Sequence, residues 1–146
     1  MLTVNDLMST SLCTVHPETS LAFALERMNH TECRQLPVLE DGRLVGILSE
    51  RDIRLAIETP VLDMDYTHHQ EELNRYTVGE FMTANPKTVS PEIPAGEAAD
   101  LLRTMKIGAL PVMRNGELVG IITVSDFLRY IGNQLRPIPN EVKGHM

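Results

Sequence analysis

Residues 4–57 and 78–131 of this 146-residue chain are two copies of one pattern, and they align at a constant offset without a gap. Identical residues recur in order: Val4/Val78, Met8/Met82, Thr14/Thr88, Pro17/Pro91 and Ala24/Ala98, then Leu36-Pro37-Val38 with Leu110-Pro111-Val112. Gly42/Gly116, Leu44-Val45-Gly46-Ile47 with Leu118-Val119-Gly120-Ile121, and Asp52/Asp126 complete the series. A repeat of this size leaves an apolar face uncovered when alone, so the two copies are expected to pack on each other as one pseudo-symmetric unit. Residues 58–77 read as a polar connector with a helical stretch over Gln70–Tyr76, and residues 132–146 as an irregular tail carrying Pro137 and Pro139. Two copies, a connector and a tail leave no room for a separate catalytic domain in this length.

Each copy reads β-α-β-β-α, an α/β (α+β) class fold. Thr14-Val15-His16 and Thr88-Val89-Ser90 read as short strands stopped by Pro17 and Pro91, which cannot continue a ladder. Leu21, Ala24, Leu25 and Met28 recur at helical spacing, as do Ala95, Ala98, Ala99 and Leu102. Two apolar runs then meet at Asp41-Gly42 in one copy and Asn115-Gly116 in the other. These dipeptides predict type I′ hairpins, because that turn needs positive φ at both central residues. A last helix begins after Ser49 and after Thr123. With aromatic residues at 4% and no Trp, aliphatic and Met side chains must build the core.

Charge and composition exclude several function classes. The 13 Lys and Arg against 20 Asp and Glu give a net charge of −7, which argues against nucleic acid or an anionic membrane as the main partner. Any phosphate must therefore be held by local cations. No apolar run approaches the roughly 18 residues of a membrane span. Cys13 and Cys33 form no CxxC pair, so reduced thiols and a cytoplasmic location are expected. His30-x-x-Cys33 and His68-His69 lack a second pair to complete a metal site, and no nucleophile with its base, nor any phosphate-binding Walker loop, is assembled. Catalysis is not expected.

The pattern with chemical content is Gly46-Ile47-Leu48-Ser49-Glu50-Arg51-Asp52, repeated as Gly120-Ile121-Ile122-Thr123-Val124-Ser125-Asp126. A hydroxyl followed three residues later by an acid at a helix start is a capping box. It is also a candidate nucleoside site: a carboxylate can accept both hydroxyls of a ribose, and the helix start favours phosphate. Gly46 and Gly120 would leave room for close backbone approach. Arg34 and Arg51 are the candidate phosphate cations; Gly108 and Ser125 stand at the matching positions, so the two sites should differ.

The ordered set Leu-Pro-Val, Gly-containing hairpin, Leu-Val-Gly-Ile and Ser/Thr-x-x-Asp, found twice, resembles the cystathionine β-synthase (CBS) domain. Val4-Asn5-Asp6-Leu7-Met8 and Val78-Gly79-Glu80-Phe81-Met82 resemble that family's opening signature. The resemblance implies a paired module with two clefts that binds AMP, ADP, ATP or S-adenosylmethionine as a regulatory ligand. It further implies a homodimer; with no effector domain read in the sequence, the expected readout is a separate effector protein or a change in self-association. Carried over by position, Asp52 and Asp126 match ribose-binding acids, and Ser49 and Thr123 the neighbouring hydroxyls. Thr14 and Thr88 match the base-pocket strand, and Gln35 and Ala109 the edge that reads adenine. The rival reading is a structural dimerisation module or scaffold whose clefts bind nothing.

Overall fold

The computed structural model describes residues 1–57 and 70–137, and in it each copy is an opening helix, a long helix, a hairpin and a closing helix. The first copy contains α1 (Val4–Leu7), α2 (Leu21–Thr31), β1 (Gln35–Glu40), β2 (Arg43–Ser49) and α3 (Glu50–Ile57). After α4 (Gln70–Asn74), the second contains α5 (Val78–Phe81), β3 (Thr83–Ala84), α6 (Ala95–Met105), β4 (Ala109–Arg114), β5 (Glu117–Thr123) and α7 (Val124–Gln134). The rest of the expected connector, residues 58–69, lies outside the described residues, as does the tail from 138 onward.

The hairpins follow from their turns. Asp41 and Gly42 have φ of 52° and 77°, and Asn115 and Gly116 have 52° and 80°, the positive pair that type I′ demands. Both ladders shift register at the same place, between Val38 and Leu39 and between Val112 and Met113, so Val45 and Val119 are the extra residues of two equivalent bulges.

The strands expected at Thr14–His16 and Thr88–Ser90 contract to single bridging residues, Val15 beside Val38 and Val89 beside Val112. Val15 donates to the Pro37 carbonyl at 3.1 Å and accepts from the Leu39 amide at 2.9 Å; Val89 does the same with Pro111 and Met113. A turn begins at Pro17 and Pro91, so each ladder ends after one residue. At the other end of the chain, α7 continues past Gly132 to Gln134, where an irregular tail was expected. Its apolar spacing carries the helix through the glycine, which costs about 1 kcal/mol relative to Ala.

Each copy closes the core of the other. The Val4 and Asn5 amides donate to the carbonyls of Ile93 and Pro91, and Ser9 exchanges two backbone hydrogen bonds with Ile121. The reciprocal set joins Val78 to Thr19, Gly79 to Pro17 and Asn85 to Val45, while β3 pairs with β2 at Gly46 and Ile47. Val4 is accordingly buried among Val89, Ala98, Leu110 and Ile122, and Val78 among Leu21, Met28, Leu48 and Ile53. Fully burying a Val side chain is worth about 1.5–3 kcal/mol, so the exchanged openings tie the two halves into one body. No helix among the described residues is long and apolar enough to cross a membrane.

Candidate functional site in two clefts between the copies

The exchange creates two clefts related by the pseudo-twofold. In the first, of about 740 Å³, the start of α3 faces the segment Asn85–Lys87 and the end of α6 up to Ala109. In the second, of about 330 Å³, the start of α7 faces Ser11–Cys13 and the end of α2 through Gln35. Each cleft thus takes its Ser/Thr-x-x-Asp turn from one copy and its opposite wall from the other.

At each helix start the capping box forms. The Ser49 amide donates to Asp52 Oδ2 at 2.8 Å, and the Asp52 amide donates to Ser49 Oγ at 3.2 Å. In the second copy the Thr123 amide donates to Asp126 Oδ2 at 2.8 Å, and the Asp126 amide to Thr123 Oγ1 at 3.3 Å. The Glu50 and Val124 amides donate to the Arg34 and Gly108 carbonyls, both at 3.1 Å. Two amides of each first turn are therefore engaged within the protein, and a ligand would meet the carboxylate first.

The second carboxylate oxygens differ. Asp126 Oδ1 accepts from Arg129 Nη1 at 3.1 Å, whereas Asp52 Oδ1 has no partner among the described residues. Asp126 is buried, with 6% of its surface exposed, while Asp52 is half-buried.

The charge of the two walls differs as well. Arg34, Arg51, Arg54, Lys87 and Lys106 line the first cleft against Glu50 and Asp52. Arg34 and Arg129 line the second against Glu32 and Asp126, an even balance. Glu50 ties down two of the first cleft's cations, Arg34 at 3.2 Å and Arg54 at 2.9 Å. Arg51, Lys87 and Lys106 are exposed and have no ion-pair partner among the described residues. The carboxyls held below the usual range stand apart from both clefts. Asp6 is lowered by the Thr3 amide and then its hydroxyl, and Glu92 by the Ser90 hydroxyl and then Arg114.

The expected site residues are thus distributed unequally. Ser49, Arg51, Asp52 and Ala109 line the first cleft, Thr123 and Asp126 the second, and Arg34 and Gln35 reach both. Thr14 and Thr88 line neither: the chain meets the clefts one residue earlier, at Cys13 and Lys87. Gly46 and Gly120 admit the close approach of the other copy's opening segment. A Cβ on Gly46 would stand 2.9 Å from the Thr83 carbonyl oxygen and against the Met82 sulfur; one on Gly120 would stand 3.0 Å from the Ser9 oxygen and 2.6 Å from the Met8 sulfur. Sequence reasoning does not single out Lys87 and Lys106, because cations from the opposite copy count only once the wall they belong to is known, nor Arg54 and Arg129, which lie within one helical turn of Asp52 and Asp126 and carry no motif of their own.

The CBS domain family profile matches residues 4–59 and 78–133, most of the chain and both repeats. The chain belongs to the CBS domain family. A CBS domain-containing protein of Dictyostelium discoideum is 39% identical over 138 residues, covering 93% of this chain and 95% of the relative. Among solved structures, the CBS-pair protein CBSX2 of Arabidopsis thaliana in complex with AMP superposes with a TM-score of 0.76 at 32% identity, covering 93% of this chain and all of that one (100%). A CBS domain pair in complex with 5′-methylthioadenosine and S-adenosyl-L-methionine gives a TM-score of 0.77 at 26% identity, covering 92% and 98% of the two chains. The chain is therefore a tandem CBS pair whose structural neighbours bind adenosyl ligands, and it aligns with these relatives over nearly their full lengths.

Proposed function

We propose that this CBS pair is a non-catalytic regulatory module that binds an adenine nucleotide, AMP, ADP or ATP, in its first cleft. The carrying observation is Asp52 Oδ1: an oxygen of a half-buried residue that has no partner among the described residues, in a cleft also lined by Arg51, Lys87 and Lys106, cations with no ion-pair partner among those residues. A ribose hydroxyl satisfies that oxygen, and the cations suit phosphate. The same charge disfavours S-adenosylmethionine, whose sulfonium is itself cationic.

Lys106 strengthens the reading. It caps α6 with φ of 56°, a left-handed position where Gly is the usual residue and where another side chain costs about 1–2 kcal/mol. Glu32 holds the same left-handed position after α2, with φ of 58°, so the conformation belongs to the shared fold and the charge of Lys106 is what distinguishes the first cleft.

Occupancy can bias the module only through different affinities for two states, so the readout is a separate effector protein or the module's self-association in the cytoplasm. A second copy is the proposed partner of α7, whose outward residues Val124, Leu128, Ile131 and Leu135 form an exposed apolar stripe. One stripe of this kind is self-complementary about a twofold axis. Leu128→Glu should then convert a dimer to a monomer in light scattering; an unchanged mass would remove α7 as the interface.

Thermal unfolding with AMP, ADP, ATP and S-adenosylmethionine tests the ligand. A nucleotide at about 100 times its Kd should add about 2.7 kcal/mol of stability. No shift with any of them at millimolar concentration would leave the scaffold reading, in which the Ser/Thr-x-x-Asp turns are caps and nothing more.

A further inference from the structure

We infer that Arg129 bolts the second cleft against a ribose, so that the chain holds one adenine nucleotide and this one side chain decides which cleft holds it. The inference rests on the nucleotide reading of the first cleft. Asp52 and Asp126 occupy equivalent positions with the same cap, each Oδ2 accepting a backbone amide at 2.8 Å. They part at the other oxygen, which in Asp126 accepts from Arg129. The residue equivalent to Arg129 is Leu55, which lines the first cleft and has no hydrogen to donate.

With Arg129 in place both oxygens of Asp126 are engaged. Its side chain is 5% exposed while that of Arg129 is 69% exposed. The pair is thus an exposed guanidinium over a carboxylate that the folded chain, Arg129 included, covers almost completely. A diol entering here must displace the guanidinium from Oδ1 or share that oxygen with it, whereas at Asp52 it meets an oxygen without a partner among the described residues. Arg129 also stands at the cleft that is smaller and balanced in charge, with Arg34 and Arg129 against Glu32 and Asp126, so its walls draw in phosphate less than those of the first cleft.

The experiment is the stoichiometry of AMP binding by isothermal titration of the full chain. The proteins are the wild type, Arg129→Leu and Leu55→Arg, with Asp52→Ala and Asp126→Ala alone and combined with Arg129→Leu. The wild type should bind one AMP, weakened roughly 10–100-fold by Asp52→Ala and unchanged in Asp126→Ala. Arg129→Leu should gain a second site, within about tenfold of the first in affinity, that Asp126→Ala removes. Leu55→Arg should weaken the first site by about tenfold or more.

Two sites in the wild type, one unchanged site in Arg129→Leu, or a wild-type site that depends on Asp126 would each overturn the bolt while leaving nucleotide binding intact. Absence of binding from every protein, when the titration is repeated with ADP and ATP, would overturn both. Residues 55 and 129 are exposed, so their exchange leaves the core untouched, and Leu55→Arg tests the same idea from the opposite cleft.

Discussion

The two clefts are made of the same elements in the same order, yet one carries an open carboxylate oxygen among unpaired cations and the other a locked carboxylate in balanced charge. What the copies share is whatever the backbone needs: the type I′ turns, the bulges at Val45 and Val119, the capping boxes, and the glycines under Met82 and Met8. What they do not share lies on the cleft walls. Lys87 stands opposite Cys13 in the pseudo-symmetry, Lys106 opposite Glu32, Arg51 opposite Ser125 and Leu55 opposite Arg129. Apart from Cys13, which is buried in the core of its copy, these side chains are exposed or half-exposed, so the fold constrains them less than the turns and caps.

Removing the two acids should break this comparison most visibly. Asp52→Ala and Asp126→Ala each delete one cap acceptor, costing about 1 kcal/mol of stability in urea titration. Only Asp52→Ala should weaken AMP binding, by roughly 10–100-fold, the worth of a hydrogen bond to a charged group. Equal losses of affinity would make the clefts functionally alike.

The shared frame, by contrast, should respond alike in both copies. Gly46→Ala and Gly120→Ala each drive a Cβ into a Met sulfur and a backbone carbonyl of the opposite copy, so each should lower stability by about 1–3 kcal/mol. If one were silent, the exchanged openings would not be equivalent.

A finer contrast lies at the two left-handed helix caps, Glu32 at φ 58° and Lys106 at φ 56°. Replacing either with Gly relieves strain and should raise stability by about 1 kcal/mol. Lys106→Gly should also weaken ATP more than AMP, whereas Glu32→Gly should leave both affinities unchanged. Matching affinities in the two variants would remove Lys106 from the phosphate site.

Much of this molecule was legible before any coordinates. The hairpins, their turn type, the long helices and the capping boxes all depend on residues within a few positions of each other, and Asp41-Gly42 or Ser49-x-x-Asp52 carries its own geometry. The strands at Val15 and Val89 were over-read, because a local apolar run does not reveal how many partner groups the ladder offers. The helix through Gly132 was under-read for the complementary reason: spacing outweighs one unfavourable residue. Thr14 and Thr88 were misplaced by a single residue relative to the cleft walls, a distance within the tolerance of any positional transfer.

By itself the sequence determined that this chain is two copies of one unit, which elements each contains, that the copies must cover one another, and that two acids stand at equivalent helix starts. Only the tertiary structure decided that each opening segment crosses to the other copy. With that crossing, Lys87 and Lys106 came to face Asp52, and Cys13 and Glu32 came to share a cleft with Asp126. The lock of Arg129 on Asp126 is different: it spans one helical turn, and its spacing was in the sequence. Its consequence depends on the burial of Asp126 and on Leu55 occupying the same place in the first cleft, because a hydrogen bond competes most with a ligand where the acceptor's other oxygen is already engaged.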